Sequence, residues 1–115
     1  MDGLPGTGWG ALAGLRVLDF SRALAAPYGT QLLADLGATV IKVESLEGDL
    51  TRPTGPFHPS DKERRHSGYF HSVNRNKRSI AIDLKAEAGR QIIFDLLPEI
   101  DVVVENFRAG AGVAE

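Results

Sequence analysis

Two stretches of the chain, residues 15–42 (LRVLDFSRALAAPYGTQLLADLGATVIK) and 74–107 (NRNKRSIAIDLKAEAGRQIIFDLLPEIDVVVENF), repeat one pattern: short apolar strand, polar turn, amphipathic helix, second apolar strand. A helix between two strands is long enough to carry the chain back across a sheet, so each stretch is expected to form a βαβ unit with parallel strands. Sheets built this way put their strand-to-helix turns along the carboxyl edge, where open α/β folds take their ligands. The residues expected at that edge are Ser21-Arg22-Ala23-Leu24-Ala25, Asp83-Leu84-Lys85 and Glu105-Asn106-Phe107. They include no evident nucleophile, acid–base pair or metal-ligand set. The chain is therefore expected to be a binding half whose chemistry lies elsewhere.

In detail, residues 15–20 form the first strand, and Asp19 and Ser21 are placed to cap the helix that follows. Pro27 is tolerated in a first helical turn, where its missing N–H has no partner to lose. The spacing predicts a helix over 28–36 with Leu32, Leu33 and Leu36 inward, a left-handed stop at Gly37 and a β-branched strand over 39–43. Residues 44–73 hold Gly48, Pro53, Gly55, Pro56, Pro59 and Gly68 with a charged run, DKERRH, and read as a long loop with one short helical turn near 69–72. A third strand is expected over 78–83 and a helix over 86–97 with Ile92, Ile93, Leu96 and Leu97 inward, ended by Pro98. The fourth strand spans 101–105, and its three valines suggest burial on both faces. Residues 1–14 are a Gly-rich lead-in, 15–110 a partial domain and 111–115 a tail. Four strands and two clear helices leave sheet surface uncovered, so the chain is expected to be the front part of a larger fold.

Composition removes several classes of function. A net charge of −2 gives no electrostatic case for nucleic acid, and the absence of cysteine excludes disulfides and thiolate chemistry. No apolar run approaches membrane-spanning length, and the first residues lack the basic start of a secretory signal, so a cytoplasmic protein is expected. His58, His66 and His71 have no carboxylate partner at ligand spacing and read as surface residues rather than a metal site.

The words LAGLRVLDFSRALAAPYGTQLLADLGATVIKVE, GDLTR, YFHSVNRNKRSIAIDLK and DVVVENFRAG, in this order, resemble the N-terminal region of the class III CoA-transferases. That family includes formyl-CoA and carnitine-type CoA-transferases and α-methylacyl-CoA racemase. The resemblance implies a Rossmann-like α/β fold, here the incomplete N-terminal part of a large CoA-binding domain, and an interlocked homodimer for the whole enzyme. It implies coenzyme A or acyl-CoA and a carboxylate as substrates, with no covalently bound cofactor, no nucleic acid and no membrane. The reaction would be CoA transfer through an aspartyl intermediate. The nucleophilic aspartate is expected beyond Glu115, since neither Asp83 nor Asp101 occupies its place, so no catalytic residue is assigned. A racemase of the same family, or a non-catalytic interaction module or remnant, are the alternatives.

The site residues follow from the same resemblance. Lys85 would pair with a CoA phosphate, unless it is a solvated lysine at a helix start. Asp83 would line the adenine side with Ile82 and Leu84, or serve as a helix N-cap. Asn106 and Phe107 would contact the adenine or pantetheine groups, with Arg108 beside them. Leu24 and Ala25 would line the channel toward the thioester, and Arg22 would contact ligand or cap strand ends. Arg75, Lys77 and Arg78 form a basic cluster, either a phosphate attractor or solvated surface. Two positions depart from the family: Ser45 stands where an arginine is common, leaving Arg52 as a possible substitute, and Ala109 where a proline is common.

Overall fold

The computed structural model describes residues 9–108. Strand β1 (Arg16–Asp19) leads through helix α1 (Ala25–Asp35) to β2 (Thr39–Glu44), a connection carrying α2 (Gly68–Val73) leads to β3 (Arg78–Ala81), and α3 (Glu87–Leu96) with a short 3-10 turn (Leu97–Glu99) leads to β4 (Val102–Val104). All strands join one parallel sheet in the order β3-β2-β1-β4. That order reverses direction after β3, as in doubly wound folds, and both expected βαβ units are present. Of the expected lead-in over 1–14, only residues 9–14 lie within the described residues, and the tail over 111–115 lies outside them.

Alternation along the central strands splits the core between the faces. Val17 and Val40 meet Ala34 and Ala38 on the α1 side. Leu18, Ile41 and Val43 meet Ile82 and Ile93 on the α3 side. Each fully buried aliphatic side chain contributes about 1.5–3 kcal/mol relative to exposure, so the two clusters account for why β1 and β2 lie at the centre.

Five expectations need correction. The inward face of α1 is Pro27, Thr30, Gln31 and Ala34, while Leu32 and Leu36 are exposed and only Leu33 packs partly against the core. Thr30 and Gln31 go inward because polar partners wait there: Thr30 Oγ1 donates to Asp19, and Gln31 bridges Ser72 O and the Arg75 amide. On α3, Ile93 is buried and Leu96 packs on it, but Ile92 and Leu97 face out. The valines of β4 are not buried on both faces among the described residues: Val102 and Val103 are 37% and 50% exposed, where the described helices leave the sheet uncovered. Asp19 and Ser21 do not cap α1, whose N-cap is Leu24 without a side-chain bond; nor does Asp83 cap α3, whose N-cap is Ala86.

The turns behave as read. Gly37 has φ +106° after α1, and its amide bonds Ala34 O at 3.0 Å. Residues 68–73 form the short helix expected in the long connection, with Ser67 accepting from the Phe70 amide as N-cap. At the start of α3, Gly89 presses against the preceding turn: a Cβ there would lie 2.0 Å from Asp83 O and 3.0 Å from Ile82 Cγ2.

Gly89→Ala should therefore force α3 off the sheet and lower stability by about 3 kcal/mol, the upper range for overpacking. Gly29→Ala on exposed α1, where nothing lies within 4 Å of the added methyl, should gain about 0.5–1 kcal/mol from helix propensity. Chemical denaturation of both variants checks this, and equal effects would mean the Gly89 contact is not tight.

Candidate functional site

The carboxyl edge of the sheet rests on buried charge. Lys42, on β2, is 1% exposed at its side chain and pairs with Asp49 at 2.9 Å; Lys77 is 2% exposed and pairs with Asp19 at 3.0 Å. Neither ion could be buried without a partner and hydrogen bonds for its remaining polar atoms, and these are supplied. Lys42 Nζ also donates to Ser21 O, and Lys77 Nζ to Pro27 O and Asn74 Oδ1. Asp19 accepts from Ser21 N, Ser21 Oγ and Thr30 Oγ1, and Asp49 from Thr51 N, Thr51 Oγ1 and Ala23 N. Burial pushes the Lys77 ammonium below its ordinary pKa, outweighing the attraction of Asp19.

A second pair stands beside the first. Arg52 forks onto Glu44 with two 2.7 Å bonds, Ser79 Oγ donates to the same carboxylate, and the Asp49 amide completes its shell. The Arg52 guanidinium lies 3.8 Å from the Phe70 ring centroid, which roofs the pair. Burial alone would raise the Glu44 and Asp49 carboxyls, but hydrogen bonds from Arg52 and Ser79, and from Lys42 and Thr51, hold both below the usual range.

On this foundation an open cleft of about 880 Å³ runs along the strand ends. It brings together Arg22, Ile82, Asp83, Leu84, Lys85 and Phe107 among the residues expected from the sequence. Leu24, Ala25 and Arg108 are exposed, and like Asn106 they do not line it. The Asn106 carboxamide instead bonds the Arg22 peptide, accepting from Arg22 N at 2.9 Å and donating to Arg22 O at 2.8 Å. Asp83 accepts from the Lys85 amide at 3.0 Å, which closes the turn that presents Lys85. An adjoining apolar cleft of about 290 Å³, between α3 and β4, shares Phe20, Leu84, Arg90 and Phe107 as a common wall.

Arg90 was not singled out from the sequence, yet it lines both clefts and its Nη1 donates to Leu84 O at 3.1 Å and Lys85 O at 2.9 Å. Its only sequence signal was a cation in the first turn of a helix, a disfavoured place against the helix dipole. Ser45 and Glu47 complete the polar rim. Arg52 lines neither cleft and is committed to Glu44. The basic cluster is split: Arg75 pairs with Asp35 at 2.6 Å, Lys77 is buried, and Arg78 lies exposed on β3. Among the described residues no group of His, Asp and Glu could hold a metal ion, and no helix is long and apolar enough to cross a membrane.

The model of CoA-transferase family III matches residues 12–113. The chain belongs to that family. Among curated relatives, it is similar to the succinyl-CoA:mesaconate CoA-transferase of Haloarcula hispanica (52% identical over 101 residues, 88% of this chain and 26% of the relative). The human succinyl-CoA:glutarate CoA-transferase is 47% identical over 100 residues, covering 86% of this chain and 22% of the relative. The crystal structure of a CAIB/BAIF family protein from Brucella suis superposes with a TM-score of 0.80 at 47% identity, covering 91% of this chain and 28% of that one. The chain spans about a quarter of the length of the curated relatives it matches.

Two outcomes follow for the ionic foundation of this family III chain. Lys42→Met leaves Asp49 buried without its cation and should cost about 3–5 kcal/mol; adding Asp49→Asn should recover a substantial part, and a strictly additive double variant in urea unfolding would show that the two do not interact. Because the Glu44 and Asp49 carboxyls are held low in the folded state, their contribution is complete above the unfolded values of about 4 and is lost as pH falls through the folded ones. Glu44→Gln should accordingly flatten the acid limb of the stability profile below about pH 4 while lowering the plateau near neutrality, as followed by thermal melts across pH.

Proposed function

We propose that this chain is the CoA-binding portion of an acyl-CoA:carboxylate CoA-transferase. The observation that carries the proposal is the cleft at the strand ends, where Arg22, Lys85 and Arg90 stand around a floor of Ile82 and Leu84 beside the Phe107 ring. A coenzyme with phosphates at one end, an adenine ring and a thin pantetheine arm needs such a combination: cations for the phosphates, and apolar and aromatic surface for the ring and arm. Lys85 serves as the phosphate contact. The Ile82-Asp83-Leu84 backbone flanks the adenine, and Phe107 packs against the adenine or the start of the arm.

In the whole protein the reaction would pass CoA from an acyl-CoA to a free carboxylate through an aspartyl intermediate. An aspartate can play that part only if its carboxylate is accessible and uncommitted. Asp19 and Asp49 are fully buried in ion pairs, and Asp101 accepts from the Arg16 amide at the amino end of the sheet, away from the cleft. Asp83 is exposed at the cleft and accepts from the Lys85 amide through Oδ1. The family resemblance, in which neither Asp83 nor Asp101 occupies the nucleophile's place, is what assigns the nucleophile to sequence outside these residues, and on that reading the chain alone is inactive. The transferase is preferred to the racemase because the similar curated proteins are succinyl-CoA:mesaconate and succinyl-CoA:glutarate transferases. On the same proposal the whole enzyme is a cytoplasmic homodimer.

Calorimetric titration of CoA into the chain and Lys85→Ala tests the proposal. Loss of one charge-assisted contact at a solvent-facing site should weaken binding by roughly tenfold to thirtyfold, with dephospho-CoA and free adenosine as comparison ligands. Unaltered CoA affinity in a folded Lys85→Ala chain would make Lys85 a surface lysine and remove the phosphate assignment.

A further inference from the structure

We infer that Asn106 is a positioning residue: it grips the Arg22 peptide so that the Arg22 guanidinium is presented over the Phe107 ring as the cationic lip of the cleft, and it does not itself touch the ligand. The two polar ends of the Asn106 carboxamide go to one residue, Oδ1 accepting from Arg22 N at 2.9 Å and Nδ2 donating to Arg22 O at 2.8 Å. This is the exchange by which one strand grips its neighbour, carried out here by a side chain. It continues the sheet past the last β1–β4 backbone bond, in which the Phe20 amide donates to Val104 O at 2.8 Å.

The side chain of Arg22 is held by the next residue along. Its guanidinium carbon lies 5.4 Å from the Phe107 ring centroid, a cation–π distance, and the Phe107 amide is itself fixed to Glu105 Oε2 at 2.8 Å. One dipeptide thus fixes Arg22 twice, Asn106 by its backbone and Phe107 by its charge. Arg22 and Phe107 line the cleft, and Asn106 does not. An arginine free to sample all its rotamers loses that freedom when it meets an anion, whereas one already restrained loses less.

Removing the carboxamide should not unfold the turn, because its flanks have other anchors. Ser21 O is held by buried Lys42, and the Ala23 amide points to Asp49 at 3.4 Å. Ala23 has φ +70°, a left-handed conformation that a non-glycine residue keeps only when its surroundings impose it. Asn106→Ala therefore frees Arg22 selectively between two fixed neighbours.

The ligand class rests on the proposed coenzyme site, and the test separates the two. CoA is titrated into the 115-residue chain and its Arg22→Ala, Asn106→Ala and double variants. Arg22→Ala should weaken CoA by about tenfold, the loss of one exposed charge-assisted contact. Asn106→Ala should weaken it several-fold, and the double variant should be no weaker than Arg22→Ala alone, since Asn106 acts only through Arg22. Additive losses, or no loss in Arg22→Ala, overturn the inference. A ligand-free arm reads the same coupling by NMR: the Arg22 Nε–H proton, shifted by the Phe107 ring current, should move toward its free value in Asn106→Ala at an unchanged melting midpoint. If the chain binds no CoA, the coenzyme proposal fails and the NMR arm decides. An Arg22 resonance unmoved in Asn106→Ala then overturns the positioning role.

Discussion

A lysine in the middle of a central parallel strand is the constraint around which the rest of this molecule is arranged. Lys42 has hydrophobic neighbours on β2 before and after it, and no route to water. Its ammonium is tolerable only because Asp49, seven positions on, folds back to it, and because Ser21 O accepts a second bond. That requirement pins the start of the long connection to the sheet. The neighbouring Lys77–Asp19 pair pins its end, with Asn74 and Pro27 O completing the shell. A segment rich in glycine and proline, with only six helical residues in α2, is thereby held as firmly at both ends as a regular element would be. Such pairs add little net stability over an apolar core, but removing one partner is expensive, so they specify this path for the chain more than they strengthen it.

The same economy explains what could and could not be read from the sequence. Strand positions, parallel pairing, the Gly37 stop and the short helix at 68–73 all followed from local apolar period and turn chemistry. The inward face of α1 did not. Period alone favours the leucines, yet Thr30 and Gln31 point in because they satisfy Asp19 and the backbone at Ser72 and Arg75. Those partners lie 11, 41 and 44 positions away along the chain, too far for any window to connect. Asp19 looked like a cap and Lys77 like a surface cation for the same reason. Exposure of the β4 valines follows from the element count, since two clear helices leave part of a four-stranded sheet uncovered among the described residues.

The candidate site was legible as three turns at one sheet edge, and the structure does bring Arg22, Ile82–Leu84, Lys85 and Phe107 to one cleft. Arg90 escaped notice because its role depends on two carbonyls of the preceding turn, Leu84 O and Lys85 O, and on Gly89 letting α3 approach that turn. Leu24 and Ala25 stay outside the cleft, on the exposed side of α1. There Leu24, Tyr28, Leu32 and Leu36 recur every fourth residue, all about half exposed, an apolar stripe of the kind found where a protein surface meets another surface.

Dissolved ions would act unequally on the two tiers of charge. The Lys42–Asp49 and Lys77–Asp19 pairs lie where mobile ions do not reach, so brine leaves their attraction almost intact, whereas charges on an open rim are screened over about 8 Å at physiological ionic strength and over only about 3 Å at 1 M. Salinity is thus a dial that weakens interactions between charges on the open rim without loosening the scaffold beneath it. A chain built this way can keep its buried scaffold across a wide range of salt while the charges on its open rim respond to the surrounding medium.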